Sequence, residues 1–393
     1  MIKVVWLCNF ANHEMNVYFK PHHVRELAPW ISNLIELFRE QTEVELHIVA
    51  PNIFTNNDCF FVERGVYYHF YALRLKLIPK KVNKLLKIFF GSNFTGIQSK
   101  ISKIIDEIQP QIIHLHGAEN PYYSAGIIPL IGKYPVMLTI QGFIRNSSSK
   151  TKKIKRDIKI EEEIIKNVIH FGVRSKEMAE IILSLNPEAQ LYYHNYPITI
   201  PMYIKNNESS TYDIVFFARV HKDKGIEDLL QAIALIKKGG KDISLHIIGP
   251  IGWVYKQHLQ ILIKSLAIES NVVWVGFIED QQGIFKYAVN AKICVLPTYH
   301  DIIPGTIIES MFMKLPVIAY AVGGIPELNE NECTIILVDK QNINQLAENI
   351  LQLLNNTDLR KSLAGKAFCH AKERFNNNNV VPDIVNAYRS ILK

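Results

Sequence analysis

Short runs of Val, Ile and Leu alternate, from one end of the chain to the other, with stretches in which apolar residues recur every three or four positions. Continuous apolar runs fit strands buried on both faces, and the longer spacing fits helices that cover them. The alternation predicts an α/β protein with mostly parallel sheets in two units. In the first half the predicted strands are 3–7, 45–49, 112–115, 136–140 and 169–173, with a helix over 29–38. A polar passage, Lys205-Asn-Asn-Glu-Ser-Ser-Thr211, reads as a linker. Beyond it come strands 213–218, 244–248, 272–275, 293–296, 317–320 and 334–338, and helices 226–237, 258–266, 281–288, 307–313 and 345–354. Phe375-Asn-Asn-Asn-Asn379 interrupts the pattern before a helical period resumes over 380–392.

The stretch richest in chemistry is Pro297-Thr-Tyr-His-Asp301-Ile-Ile-Pro-Gly305-Thr-Ile-Ile-Glu309-Ser-Met311, followed by Leu315-Pro-Val-Ile-Ala-Tyr-Ala-Val-Gly-Gly324-Ile-Pro-Glu327. In open parallel sheets ligands sit beyond the carboxyl ends of the strands, so Asp301 and Glu309 flank a place for a small molecule. The helix start at Gly305, Thr306 and Ile307 offers free N–H groups to a phosphate. An anion-and-polyol site is one reading. The other is a capping box, in which Thr306 and Glu309 serve the first turn of their own helix.

A second stretch, Ile214-Val-Phe-Phe-Ala-Arg219-Val-His-Lys-Asp-Lys224-Gly225, ends a strand in two cations. Arg presents a planar fork and Lys a point charge, a pair suited to gripping a diphosphate; a solvated basic loop has the same composition. Gly249-Pro250 and Gly276-Phe277 each follow a strand and either carry backbone to a ligand or simply turn the chain. In Ile112-Ile-His114-Leu-His116-Gly117, alternation places both histidines on one face of a strand. No third ligand stands at a convincing spacing for a metal. His114 reads as structural, and His116 as either a satisfied core residue or a ligand contact.

Taken together, these motifs resemble the family-4 retaining glycosyltransferases (glycosyl transferases group 1). That family has an acidic-x7-Glu signature, an Arg-x4-Lys-Gly loop, a His-x-His-Gly strand, a Val-x-Phe-x-Gly strand and a closing Gly-Gly-x-Pro-Glu. The resemblance is strong over 213–327 and looser before it. It implies the GT-B fold, two Rossmann-like domains facing a central cleft: 1–204 on the acceptor side, 205–375 for the nucleotide sugar, and 376–393 as a final helix crossing back to the first domain. It further implies transfer of a sugar from a nucleotide-diphosphate donor, such as a UDP-sugar, to a glycan or lipid-linked acceptor with retention and without a metal. In that scheme Arg219 and Lys224 stabilise the departing diphosphate, helped by the helix start at Gly305, Thr306 and Ile307. Asp301 and His116 address the donor sugar, Glu309 the ribose, and Gly249, Pro250 and Phe277 the nucleotide. The chain departs from the family by carrying Asp301 where Glu is usual and by lacking a Gly-Gly loop after the first strand.

Composition narrows the rest. The chain has 393 residues, 48% of them hydrophobic and 21% charged, the balance of two ordinary globular domains. Five widely spaced cysteines form no CxxC pair, which fits a reducing cytoplasm. No uncharged stretch approaches the ~20 residues of a spanning helix. The net charge of +7 points to anionic partners. Lysines and bulky apolar residues alternate over Lys76–Lys87, and a second basic cluster spans Lys150–Arg156. Each is either a solvated face or a dock for anionic lipid at the inner surface of a membrane. Nucleic acid is disfavoured because no binding module accompanies the charge. No Gly-x-Gly-x-x-Gly follows the first strand and no P-loop is present, which argues against dehydrogenases and P-loop enzymes. A nucleotide-sugar epimerase or hydrolase of the same architecture, and a non-catalytic partner that binds lipid or glycan, stay open as alternatives.

Overall fold

In the computed structural model of the chain, which describes residues 1–10, 18, 28–52, 55, 57–73, 94–146, 151–205 and 211–393, the first apolar run becomes strand β1, Ile2–Leu7. Its residues Val4 to Leu7 are wholly buried because the strand has parallel neighbours on both edges, β2 (Val44–Asn52) and β5 (Ile112–His116). A strand covered on every side has no polar face to show, hence the unbroken apolar run. Around it lies an eight-stranded sheet in the order β3-β4-β2-β1-β5-β6-β7-β8. The other strands are β3 (Cys59–Glu63), β4 (Val66–Ala72), β6 (Val136–Thr139), β7 (His170–Val173) and β8 (Gln190–Tyr193). All pairings are parallel except β3 with β4, a hairpin closed by Arg64 and Gly65. This hairpin escapes the apolar-run criterion because β4 is buried mainly on alternate positions and its residues are aromatic rather than aliphatic.

Helices α1 (Pro29–Phe38), α2 (Thr95–Ile108), α3 (Lys152–Asn167) and α4 (Lys176–Leu185) belong to the first half of the chain. The second sheet has six strands, all parallel, in the order β11-β10-β9-β12-β13-β14. They are β9 (Tyr212–Phe217), β10 (Leu245–Ile248), β11 (Val272–Gly276), β12 (Ala291–Leu296), β13 (Val317–Tyr320) and β14 (Ile336–Val338). The α-helices of the second half are α5 (Ile226–Lys238), α6 (Trp253–Ser265), α7 (Gln281–Ala288), α8 (Gly305–Phe312), α9 (Ile343–Asn355), α10 (Thr357–Arg374) and α11 (Asn377–Ile391). Helix α6 begins at Trp253, not at 258, because its first turn exposes Trp253 and Val254 and so carries no inward apolar period. The Asn run after Phe375 opens α11 instead of breaking the chain, since Asn is tolerated where a helix's first N–H groups lack internal partners.

By contacts the chain divides into Met1–Arg174 with Met178–Pro197 and Asn377–Lys393, here unit 1, and Ser175–Glu177 with Ile198–Asn376, unit 2. Helix α11 is held in the core of unit 1 by a buried relay. Trp6 Nε1 donates to the Tyr388 hydroxyl at 2.9 Å, which lies 2.6 Å from His114 Nδ1. His114 Nε2 lies 2.8 Å from Thr139 Oγ1, which is 3.0 Å from His194 Nε2. His194 Nδ1 completes the line at the Asn195 carbonyl, 3.1 Å away. One direction of donation satisfies every member: Trp6 to Tyr388 to His114 to Thr139 to His194 to backbone. Burial holds His114 well below the ordinary imidazole range and pushes His194 down to about 4, so both rings are neutral, as the relay requires. The structural reading of His114 is thus satisfied on both ring nitrogens.

Removing the Tyr388 hydroxyl strands the Trp6 N–H and His114 Nδ1 in the core. Tyr388→Phe is expected to cost about 2–4 kcal/mol in urea unfolding, because each buried orphan costs about 1–3 kcal/mol. A loss below about 0.5 kcal/mol would show that the relay does not anchor α11.

Candidate active site

In unit 2 the chain winds one way from β9 through β10 to β11, and the other way from β12 through β13 to β14. The loops leaving β9 and β12 therefore diverge, and this reversal is where open α/β sheets bind ligands. The loop after β9 carries Arg219, which is exposed, and Lys224, which is half-buried. The loop after β12 runs from Pro297 to Pro304 and carries Asp301.

The two loops are sewn together by backbone. Tyr299 N donates to the Asp223 carbonyl at 2.8 Å, and the Thr298 hydroxyl donates to the same oxygen at 3.2 Å. Gly225 has φ +70°, and a Cβ placed there would sit 1.8 Å from the Pro297 carbonyl oxygen, so only glycine lets the loops close. Behind them, buried Asp228 on α5 accepts from the hydroxyls of Tyr299 at 2.8 Å and Tyr320 at 2.7 Å. The result is an ion pair between Lys224 Nζ and Asp301 Oδ2, with the Thr298 hydroxyl 3.4 Å from that same oxygen.

The remaining unit 2 candidates collect at the same strand ends. Val220 N donates to the Pro250 carbonyl at 3.0 Å, bringing the Arg219 loop beside Gly249-Pro250, and Gly249 N donates to the Gly276 carbonyl at 2.8 Å. Phe277 follows Gly276 and is 66% exposed, an aromatic residue open to a ligand. Helix α8 starts at Gly305, two residues earlier than its period suggests, with Pro304 as N-cap. The N–H groups of Gly305 and Thr306 have no acceptor among the described residues, while Ile307 N turns back to the Pro304 carbonyl at 3.0 Å. Ile307 is fully buried, so its contribution is backbone alone.

The capping box is not formed. The Thr306 hydroxyl donates instead to the Phe217 carbonyl at 2.9 Å, fastening α8 to the end of β9. Glu309 accepts from the Gln281 side-chain amide, whose oxygen in turn accepts from the Thr199 hydroxyl at 3.2 Å. Burial pushes the Glu309 carboxyl up to about 7, and the Gln281 bond offsets this only in part. Gln281 and Asp228 carry no signal in the sequence: one follows an unremarkable Asp280 N-cap, and the other reads as an acidic residue in a helix's first turn. Glu327, the last residue of the quoted stretch, is tied by the Lys176 N–H at 2.7 Å and Arg374 at 3.1 Å.

His116 lies in unit 1, at the carboxyl end of β5. Among the described residues no group of three or more His, Cys, Asp and Glu is placed to hold a metal ion. Lys76–Lys87 lies outside the described residues. Of the second basic cluster, Lys153 and Arg156 pair with Asp157, which leaves less free charge than the sequence suggests. No described helix is long and apolar enough to cross a membrane.

Residues 211–356 match the family described as glycosyl transferases group 1, and residues 71–169 that described as glycosyl transferase 4-like. The chain belongs to these family-4, group 1 glycosyltransferases and has the GT-B fold of two parallel-sheet α/β domains. It is 25% identical to the capsular polysaccharide biosynthesis glycosyltransferase CapM of Staphylococcus aureus over 183 residues, 46% of each chain. The chain thus spans less than half the length of the curated relatives it matches. Among solved structures, sucrose-phosphate synthase from Thermosynechococcus elongatus superposes with a TM-score of 0.76 at 17% identity, covering 100% of this chain and 99% of that one. Anabaena HepE in complex with UDP and glucose gives 0.72 at 13%, covering 99% and 100%.

The Glu309 environment has a measurable consequence. A carboxyl raised from its usual value contributes stability at low pH that is lost as pH rises through about 7. Glu309→Gln is expected to match the wild type at pH 4 and to exceed it by on the order of 1–3 kcal/mol at pH 8 in urea unfolding. Lower stability of the variant at pH 8 would show that the carboxylate is a structural cap after all.

Proposed function

We propose that the chain transfers a sugar from a nucleotide-diphosphate sugar to an acceptor hydroxyl, with retention at the anomeric carbon, in polysaccharide or glycoconjugate assembly. The observation that carries this is the Lys224–Asp301 pair at the reversal point of unit 2, beside Arg219 and the free N–H groups of Gly305 and Thr306. Without a ligand, each member of the pair neutralises the other. A diphosphate arriving at the helix start competes for Lys224, and its departure from Asp301 frees a carboxylate to accept hydrogen bonds from sugar hydroxyls. The exchange keeps the lysine compensated throughout, so donor binding does not strand a charge.

The bond between the anomeric carbon and the diphosphate oxygen then lengthens. Negative charge grows on the leaving phosphate, where Lys224, Arg219 and the α8 amides stabilise it, and positive charge grows on the sugar ring. The acceptor oxygen attacks from the side of the leaving group, and its proton passes to the leaving phosphate oxygen. Cationic side chains supply the stabilisation in this scheme, with no divalent ion required. Glu309, kept in place by Gln281, accepts from the ribose hydroxyls, and the Phe277 ring lies against the base.

A thermal-shift panel of nucleotide sugars should single out one donor, since binding to the folded state raises the melting temperature. With that donor, Lys224→Ala should lower transfer by about 100-fold or more while the unliganded melting temperature stays within a few degrees. Transfer should also persist in EDTA. A Lys224→Ala variant with near-normal turnover would remove the diphosphate grip from the mechanism. Donor converted to an isomer or to free sugar without any acceptor would favour an epimerase or a hydrolase.

A further inference from the structure

A loop that presents a charged side chain has to be held by something other than regular backbone pairing. Residues Pro297 to Pro304 form no helix or strand, yet Asp301 stands among them in an ion pair with Lys224. Downstream of Asp301 the loop is fixed by backbone, where the Ile302 carbonyl accepts from Gly324 N at 2.7 Å. Upstream the fixed point is Tyr299, which is gripped at both ends. Its N–H donates to the Asp223 carbonyl at 2.8 Å, and its hydroxyl donates to Asp228 Oδ1, also at 2.8 Å.

Asp228 is the third residue of α5, a helix that follows Lys224 and Gly225 directly. One helix start therefore carries the lysine of the ion pair and, a turn further on, the acceptor that fixes the loop of its aspartate. Asp228 is 6% exposed and takes one hydroxyl on each oxygen, Tyr299 on Oδ1 and Tyr320 on Oδ2 at 2.7 Å. The two phenol rings lie 7° from parallel with centroids 6.2 Å apart. Gln341 stands against both hydroxyls, its side chain at Tyr299 and its backbone at Tyr320. Burial and the neighbouring Asp228 carboxylate hold both phenols well above their ordinary range, so each keeps the proton it donates. The tyrosines differ in what they are attached to. Tyr320 ends β13, which is paired on both sides within the sheet, whereas Tyr299 belongs to the Asp301 loop.

We infer that Tyr299 and Asp228 are positioning residues for glycosyl transfer: the bond from phenol to carboxylate sets where Asp301 stands relative to Lys224, and so how the donor's sugar is held against its diphosphate. The catalytic meaning rests on the transfer proposed above, while the clamp itself belongs to the unliganded protein. Deleting the Tyr299 hydroxyl frees the upstream side of the loop. The same deletion at Tyr320 takes an equivalent bond from Asp228 and leaves the loop tied. Loss of placement by about 1 Å can cost on the order of 100-fold in rate, so a bond two residues from Asp301 matters to turnover.

The test compares Tyr299→Phe with Tyr320→Phe in the full chain. Each variant loses one buried hydrogen bond to the same carboxylate, so their melting temperatures should fall alike. The Lys340 ammonium lies over the Tyr299 ring, 5.7 Å from its centroid, a contact that phenylalanine keeps. With the nucleotide sugar that raises the wild-type melting temperature most, Tyr299→Phe should lower kcat about tenfold or more, and Tyr320→Phe should leave it within about twofold. Calorimetry with UDP and GDP should give affinities within about twofold of the wild type for both variants, because the diphosphate is gripped by Lys224, Arg219 and the α8 amides in the scheme above. Amide hydrogen exchange needs no substrate: the backbone N–H at position 299 should exchange about tenfold faster in Tyr299→Phe and at the wild-type rate in Tyr320→Phe. Asp228→Ala should reproduce the Tyr299→Phe loss of kcat, and should it fail to fold, the two tyrosine variants still decide. A loss of turnover that is shared equally by both tyrosine variants, confined to Tyr320→Phe or absent from both overturns the inference, as does unchanged exchange at position 299. A wild type that transfers sugar from no donor would instead sink the transferase reading, and the clamp would then stand or fall on the exchange rates alone.

Discussion

The arrangement of unit 2 depends on one constraint: β9 pairs in parallel with both β10 and β12, so the chain must leave the centre of the sheet in opposite directions. Two loops that would otherwise run side by side are separated at their far ends and pressed together at their roots. The roots meet where Gly225 admits the Pro297 carbonyl and where Asp223 receives Tyr299 and Thr298. From there a lysine on one loop reaches an aspartate on the other. Thr306 applies the same logic to the following helix, whose first turn hangs from the last carbonyl of β9. Unit 1 repeats the geometry at β1 and β5, and it is there that His116 stands.

Polar groups behind the sheets and at the strand ends are treated in opposite ways. The relay from Trp6 to Asn195 is complete, and a complete buried network strengthens itself in low dielectric and selects one packing. At the strand ends the groups are under-served: Glu309 leans on a single amide, and among the described residues the Gly305 and Thr306 amides have no acceptor and His116 Nε2 has no partner. Such deficits cost free energy in the empty protein, and a ligand that fills them recovers it. Stability is thus concentrated behind the sheets' carboxyl edges and relaxed along them, the usual relation between a scaffold and the surface that works.

Much of the fold was legible because buried parallel strands must be apolar throughout. The runs at 3–7, 112–115 and 213–218 became β1, β5 and β9 with shifts of a residue or so. The class of α/β protein and the family resemblance follow from local strings such as Arg219-x4-Lys224-Gly225 and Asp301-x7-Glu309, whose spacing is set by one strand, one turn and one helix start. What local pattern could not convey were elements with an exposed face. The β3–β4 hairpin and the first turn of α6 carry apolar residues outward, and so lack the burial that imprints a period.

Partnership was decided by tertiary structure alone. By sequence, Thr306 and Glu309 are at ideal separation to cap their own helix, yet Phe217 and Gln281 claim them from 89 and 28 residues away. Asp228 looks like a helix-start acid and proves to be the buried post for two tyrosine hydroxyls. The chain itself determined which segments would be strands and which residue types would stand at their ends, because burial and periodicity act within a few residues. Which of those side chains would be satisfied and which left waiting depended on groups brought from distant segments, and a hydrogen bond is settled by distance in space, not by separation along the chain.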